Sequence, residues 1–353
     1  MAYNPDYVNC TICGIVLGDV EDWKDNVVAL AGPHWPEFSE SPPSRKVSSE
    51  EVARYNAEAN THRGSLVLLP DNQEVRPQTD YDVNEESDDH SQWVGKMYVG
   101  IHAACENLAH RVMRFSFNAK IRSTGDLWLT LERRCARVIN KDSGKSGMHF
   151  TPPIPKSKPG EPFTVGFERY YVPSHNIYRY GDDWEGWWDK DPIEIPCLST
   201  QLMENLKPVG EASNQLSGSL LKFRKHIEAL PQEIKDQICS FFHHGQIHIE
   251  CNYLMPISMW KEVFFQIPFL WDLDIKAVYN KTGTEDSGAE QWDWEKITRQ
   301  VMSPPEPSPR GALEGDDGIW SFDKVGLNVP GGFTNRRRIW QILEDMYPND
   351  VHL

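Results

Sequence analysis

The sequence has no long apolar run, and none of its segments reaches the roughly 18 consecutive apolar residues that a membrane-spanning helix needs. Residues 1–6 have neither the basic start nor the apolar stretch of a signal peptide. We therefore expect a cytoplasmic or nuclear protein without membrane contacts. In such a reducing compartment, the seven cysteines are expected to be free thiols or metal ligands instead of disulfides.

Common sequence motifs of enzyme active sites are also missing. The chain has no Gly-rich phosphate loop, no Gly-x-Ser-x-Gly and no His-Glu-x-x-His. Gly144-Lys145-Ser146 resembles the end of a phosphate-binding loop, but Ile139 occupies the position where that loop requires its first glycine. We therefore expect a protein without catalytic residues.

Basic residues are too few to balance the acidic ones, since 36 Lys and Arg stand against 52 Asp and Glu, a net charge of −16. Much of the acidic excess lies in residues 71–92 and 182–194. Such a chain repels phosphate backbones and anionic headgroups, so neither nucleic acid nor membrane is an expected partner. Residues 71–92 are expected to form a solvated insert.

The chain does have enough apolar side chains for a packed core, with 39% hydrophobic residues and 13 tryptophans among 353 residues. We predict an α+β fold that is mainly helical, with irregular aromatic-rich loops. Helices are predicted at 50–60, 102–115, 292–302 and 335–346, the last capped by Asn335, and a strand at 64–70. Residues 127–139 fit either a strand or a helix. The predicted divisions are an N-terminal region at 1–140, a linker or long loop at 141–162, an aromatic-rich region at 163–228, a central helical segment at 229–275 and a C-terminal helical region at 276–353.

Cys10-Thr11-Ile12-Cys13-Gly14 has the spacing of a zinc knuckle, because two residues between the thiolates let both sulfurs reach one ion. His102-Ala103-Ala104-Cys105 has the spacing to supply two more ligands at a helix start. We predict a structural zinc site that stabilises the N-terminal region, formed by Cys10, Cys13, His102 and Cys105. The alternative is that these are unrelated core or surface side chains.

Residues 230–242 predict a short amphipathic helix with a marked start. Pro231 suits the first helical position, and Glu233 places a carboxylate near the positive end of the helix dipole. Ile234, Ile238 and Phe241 or Phe242 recur at spacings of three and four, so they share one face.

This leucine-proline-x-glutamate-isoleucine pattern resembles the first helix of an F-box, and residues 254–265 fit the following helices of that family. Residues 267–274 and 335–343 resemble segments of a group of fungal F-box-like proteins, in which a C-x-x-C-G and a later H-x-x-C also recur. The polar, histidine-rich residues 243–253 depart from the family pattern. The resemblance implies a non-catalytic subunit of a cullin–RING ubiquitin ligase, which serves protein degradation by binding a protein substrate and a Skp-type adaptor. The implied adaptor-binding residues are Leu230, Pro231, Ile234, Ile238, Phe241 and Trp260.

Two other interpretations stay open. The central helix can be packed inside its own domain, as a degenerate F-box of a structural or regulatory protein. The aromatic and acidic segment around Trp184, Trp187 and Trp188 is expected to be a surface for a protein partner, with a carboxylate-based enzyme as the alternative. Residues 336–338, three consecutive arginines, are expected to lie on a solvated helix face.

Overall fold

The computed structural model describes the chain in segments. The chain divides into two compact units. Unit 1 comprises Met1–Asp191, Pro307–Ile319 and Arg338–Leu353, and unit 2 comprises Pro192–Glu306 and Trp320–Arg337. The described residues are 8, 10–18, 23–33, 48–69, 74–77, 98–134, 137–139, 146–148, 186–210, 217–243, 247–283, 292–305 and 320–346. They form an α+β structure that is mainly helical, so the predicted fold class is confirmed.

In its described residues, unit 1 combines a small antiparallel sheet with three helices and the end of the last helix of the chain. Its strands are β1 (Val27–Ala31), β2 (Asn60–His62), β3 (Leu66–Leu69), β4 (Glu74–Pro77), β5 (Val99–His102), β6 (Arg137–Ile139) and β7 (Ser146–Met148). Its helices are α1 (Ser49–Glu58), α2 (Ala103–Phe115) and α3 (Thr124–Arg134). The strand order is β2-β1-β5, and β3–β4 and β6–β7 form two further antiparallel pairs.

The core of unit 1 lies against strands β1 and β5. Val28 pairs with Ile101 across these strands, and both side chains are buried. Helix α2 follows β5 directly and buries Leu108 and Val112, because residues four positions apart lie on one helix face. The sheet and this helix together fix the end of β5.

The described residues of unit 2 form helices and short turns. Its helices are α4 (Leu198–Asn205), α5 (Gly218–Glu228), α6 (Gln232–Phe241), α7 (Ile257–Phe265), α8 (Ile275–Thr282) and α9 (Trp294–Met302), and its 3₁₀ turns are Pro268–Leu270 and Phe322–Val325. The last helix, α10 (Gly331–Glu344), contributes its residues up to Arg337 to unit 2 and those from Arg338 to unit 1.

Aromatic packing between α7 and α9 forms the centre of unit 2. The ring centroids of Phe264 and Trp294 lie 5.4 Å apart, and Phe242 lies 4.8 Å from Trp260. Trp260 and Trp294 are almost completely buried. Aromatic pairs at these distances stabilise a core beyond the area that they bury.

A buried carboxylate fixes the segment that leads from α6 to α7. Glu295 accepts hydrogen bonds from the backbone N–H groups of Asn252 and Tyr253 at 2.9 and 3.0 Å. Arg299 pairs with the same carboxylate at 2.8 Å, and the Tyr253 hydroxyl donates to Asp293 at 2.8 Å. Tyr253 has a φ of 54°, a left-handed conformation that non-glycine residues adopt at a cost of about 1–3 kcal/mol. The surrounding hydrogen bonds hold that conformation.

The arginines of α10 are buried, so the predicted solvated face is wrong. Arg336 is 0% exposed and forms a two-armed ion pair with Asp272, with N–O distances of 2.7 and 2.6 Å. Its remaining donors bind the carbonyls of Pro192, Ile193 and Phe269. All the N–H donors of this guanidinium are therefore used, and within unit 2 Arg336 joins the segment at 267–274 to the first part of α10.

Most predicted elements are present with small shifts. Four predicted elements correspond to α1, α2, α9 and β3, whereas residues 127–139 contain most of α3 and all of β6. Helix α10 begins at Gly331, so Asn335 lies inside the helix, fully buried, and the predicted cap is wrong. The linker at 141–162 lies outside the described residues except for β7, as do most of residues 71–92 and the start of the aromatic-rich region. The predicted five divisions stay a prediction.

Replacing Arg336 by alanine should strongly destabilise unit 2. Arg336→Ala removes five hydrogen bonds and leaves Asp272 without its partner, so we expect the free energy of unfolding to fall by about 3–5 kcal/mol. Urea unfolding followed by tryptophan fluorescence measures this loss. The control is Arg54→Ala, which breaks an exposed pair with Glu58 and should cost less than about 1 kcal/mol. Equal losses in the two variants would contradict the structural role of Arg336.

Candidate metal centre and exposed helix face

The N-terminal cysteines lie in a tight turn. The N–H of Gly14 donates to the carbonyl of Cys10 at 2.8 Å, and the N–H of Cys10 donates to Ile15 at 2.8 Å. Gly14 has a φ of 78°, which glycine adopts without steric cost. This turn directs the Cys10 and Cys13 side chains into the interior, where both are 0% exposed.

Strand β5 is hydrogen-bonded to this turn. The N–H of Thr11 donates to the carbonyl of Gly100 at 3.0 Å. A Cβ atom at Gly100 would lie 2.3 Å from Leu17 Cδ1 and 2.5 Å from Val75 Cγ2, so only glycine lets the strand approach so closely. Sequence reasoning missed Gly100. Glycine is needed there because of side chains that are distant in the sequence.

The junction of β5 and α2 supplies the second pair of side chains. His102 is the last residue of β5 and precedes the first helical residue of α2, and Cys105 lies in the first turn of that helix. Both side chains are 0% exposed. The structure therefore brings together all four residues predicted as metal ligands.

The four side chains form a compact cluster with the dimensions of a tetrahedral metal site. One ligand atom from each of Cys10, Cys13, His102 and Cys105 lies within 4.8 Å of all the others. The His102 Nδ1 atom lies 3.3 Å from Cys13 Sγ and 3.9 Å from Cys105 Sγ. A tetrahedral zinc ion with its usual bond lengths separates such atoms by about 3.5–3.8 Å. The residues present can hold a metal ion.

The imidazole of His102 is held in the orientation that metal binding requires. Its Nε2–H donates to the carbonyl of Val16 at 2.9 Å, and a carbonyl oxygen can only accept. This hydrogen bond occupies Nε2 and leaves Nδ1 facing the sulfurs, where its lone pair is free to bind a cation once the proton leaves. Trp23 packs against the same ring, with centroids 4.6 Å apart.

The electrostatics of the cluster favour a negative charge on Cys10 and a neutral thiol on Cys105. Burial raises the pKa of Cys10, but hydrogen bonds from the thiols of Cys105 and Cys13 outweigh it and hold that pKa well below its usual value. Burial, together with hydrogen bonds to Cys10 and Cys13, raises the pKa of Cys105. Burial lowers the pKa of His102, yet the attraction of Cys13 and Cys10 raises it to about 10. A bound divalent cation would replace these shared protons.

Helix α6, the first predicted F-box helix, exposes much of its apolar face. Ile234 is 43% exposed and Phe241 is 65% exposed, although large apolar side chains usually lie inside. Leu230 and Ile238 are partly exposed, and Pro231 is exposed before the first helical residue. Cys239 is the one buried residue of α6, so the helix packs on unit 2 through a narrow strip. Five of the predicted adaptor-binding residues are accessible.

Trp260 does not belong to this exposed face, and its predicted adaptor contact is corrected. Its side chain is 1% exposed and lies in the core of unit 2, with the Arg299 guanidinium 4.7 Å from its ring. Periodicity predicts which residues share a helix face but not which side of the helix the rest of the chain covers.

Helix α5, which precedes α6, also exposes apolar side chains. None of its residues is buried, and Leu220, Leu221 and Phe223 are 40%, 40% and 51% exposed. Sequence reasoning did not single out these residues.

The described end of the aromatic segment expected to bind a partner is packed within unit 1. Trp188 is 7% exposed, which corrects its predicted surface role, whereas Trp187 is partly exposed. Asp189 pairs with Lys24 at 2.6 Å, and its carbonyl accepts from Trp23 at 2.9 Å. Trp184 lies outside the described residues. The described part of this segment is pinned by packing and an ion pair.

Comparisons with protein-family models, curated proteins and solved structures gave no significant match. Within the described segments, every helix is too short or too polar to cross a lipid bilayer.

A single thiol replacement should abolish metal binding. Cys13→Ser removes one of four buried donors, so we expect cobalt(II) added to this variant to lose the intense visible absorption that tetrahedral thiolate coordination gives. Cobalt titration of the purified proteins measures the effect. Cys197→Ser is the control, because Cys197 is exposed and outside the cluster, and it should titrate like the wild type. A wild-type protein without the cobalt signal would contradict the metal centre.

Proposed function

We propose that the chain is an F-box-like substrate-recognition subunit of a cullin–RING ubiquitin ligase. In this proposal, α6 binds a Skp-type adaptor, another surface binds a protein substrate, and the chain itself carries no catalytic residue. The ligase would act in the cytoplasm or the nucleus. The observation that carries the proposal is the exposed apolar face of α6, at the residues that resemble the first F-box helix.

The exposure of these side chains supports binding of a partner. An isoleucine and a phenylalanine that are shielded from water each contribute about 1.5–3 kcal/mol when fully buried. Ile234 and Phe241 are 43% and 65% exposed, so much of that free energy would be gained only when a partner covers them. Leu230, Pro231 and Ile238 add accessible apolar area beside them. An adaptor with a complementary apolar groove would cover this face.

The alternative of an internally packed, degenerate F-box has less support. It requires the apolar face of α6 to lie against the chain itself, and only Cys239 of that helix is buried. The alternative of a carboxylate-based enzyme also has little support from the described residues, because Asp189 already pairs with Lys24.

We infer that the metal of the Cys10, Cys13, His102 and Cys105 cluster is zinc with a structural role. Three thiolates and one imidazole are ligands that zinc prefers, and four protein ligands leave no open position for a reactive water. The ligand pairs lie 89 residues apart in the chain, so one ion would join the N-terminal turn to the junction of β5 and α2. Zinc would thereby stabilise unit 1.

Acidic substitutions on α6 should abolish adaptor binding. Ile234→Glu combined with Phe241→Glu places two charges in the apolar interface, so we expect at least a 100-fold loss of affinity, about 2.7 kcal/mol or more. Isothermal titration with a purified Skp-type adaptor measures the affinity.

The control for this experiment is Phe117→Glu in unit 1. Phe117 is 55% exposed, comparable with Phe241, so its replacement changes surface charge without touching α6. It should bind the adaptor like the wild type. A wild-type chain that binds no adaptor, or an α6 variant that binds with unchanged affinity, would overturn the proposal.

Removing zinc should destabilise unit 1. A chelator strips an ion that, at about 1,000 times its Kd, contributes about 4 kcal/mol to stability, so we expect the midpoint of thermal unfolding to fall by about 10 °C. Metal analysis should find one equivalent of zinc in the purified protein, and re-addition should restore the midpoint. Identical melting curves with and without chelator would contradict a structural zinc ion.

A further inference from the structure

Arg338 contacts the backbone of the candidate metal centre. Its side chain is 1% exposed, and its Nη1–H donates to the carbonyl of Cys13 at 3.0 Å. The guanidinium carbon lies 5.9 Å from the centre of the Trp187 ring. These contacts all lie within unit 1. A residue 325 positions away in the sequence is therefore bonded to the backbone of one predicted ligand.

The charge of this arginine lies beside the cluster, because its guanidinium is hydrogen-bonded to the backbone of Cys13. Burial lowers the pKa of Arg338, and the neighbouring sulfurs of Cys13, Cys105 and Cys10 oppose that effect in this order. A guanidinium nevertheless stays protonated in proteins. Arg338 is thus a buried positive charge next to three buried thiols.

The metal centre has a charge that this arginine can balance. Three thiolates, a neutral imidazole and a divalent cation leave one net negative charge on the cluster. All four ligands are 0% exposed, so water cannot solvate that charge directly. A buried charge is costly unless an opposite charge or hydrogen bonds compensate it.

We propose that Arg338 is a positioning residue of the metal centre, whose guanidinium neutralises the net negative charge of the metal-bound cluster and holds the Cys13 backbone in place. The inference rests on the proposed metal site and assigns the cluster a fifth residue. Partners of this kind, outside the ligands themselves, typically change metal affinity by 10- to 100-fold.

The neighbouring arginines have different surroundings. Arg337 is also buried, but its guanidinium lies 5.1 Å from the Phe269 ring in unit 2. Arg336 binds Asp272. Among these three arginines, Arg338 is the one bonded to the cluster, so Arg337 offers a matched control on the same helix.

The test compares two replacements that differ in charge. Arg338→Lys keeps a positive charge and a donor, whereas Arg338→Gln keeps a donor without the charge. We expect Arg338→Gln to bind zinc 10- to 100-fold more weakly than the wild type and Arg338→Lys to retain most of the affinity. Competition against a chromophoric chelator measures affinity, and circular dichroism with excess zinc measures folding. Arg337→Gln should bind zinc like the wild type.

Each outcome decides between the proposals. A wild-type protein that binds no zinc refutes the metal site itself. A wild type that binds zinc no more tightly than Arg338→Gln refutes the role of Arg338 alone. Equal losses in the lysine and glutamine variants, or failure of both to fold, also refute it, because charge is then not the decisive property. A glutamine variant that fails to fold while the lysine variant folds and binds supports it.

Discussion

The close approach of four side chains that can serve as metal ligands is the constraint on which unit 1 depends. Cys10, Cys13, His102 and Cys105 are fully buried, and their ligand atoms lie within 4.8 Å of one another. Buried sulfur and nitrogen donors packed so closely repel one another as soon as more than one thiol ionises, unless a proton or a cation is shared. The turn around Gly14, the hydrogen bond between His102 and Val16, and the close strand contact at Gly100 all serve that convergence.

Unit 2 carries the exposed apolar face of α6 on a core that different contacts hold in place. Glu295 and Arg299 fix the segment before α7, and Arg336 fixes the segment after it, so the core around Trp260 is held by buried polar contacts as well as by aromatic packing. The exposed face of α6 lies on this core. If α6 binds a partner as proposed, a surface whose supporting residues are already held in place would lose little conformational entropy on binding.

Local patterns in the sequence predicted the features that depend on local spacing. The ligand pairs follow from two residues between Cys10 and Cys13 and from the start of α2 at His102, and helix periodicity predicted α2, α6 and α9. The sequence could not predict which side of a helix is covered. Trp260 and Arg338 are therefore buried against expectation, because their partners lie far away in the chain. Nothing in the local sequence around the three consecutive arginines shows whether their side chains face solvent or bind carbonyl and carboxylate groups of the protein.

The order of residues along the chain also has a consequence for biosynthesis. All four donors of the cluster leave the ribosome well before Arg338, because Cys105 is the last of them in the sequence. At typical rates of elongation the delay between Cys105 and Arg338 is roughly 10–50 s. A nascent chain that captures a cation in that interval holds it without the guanidinium. In that case the ion is bound first, and the positive charge of Arg338 is added beside it later in synthesis.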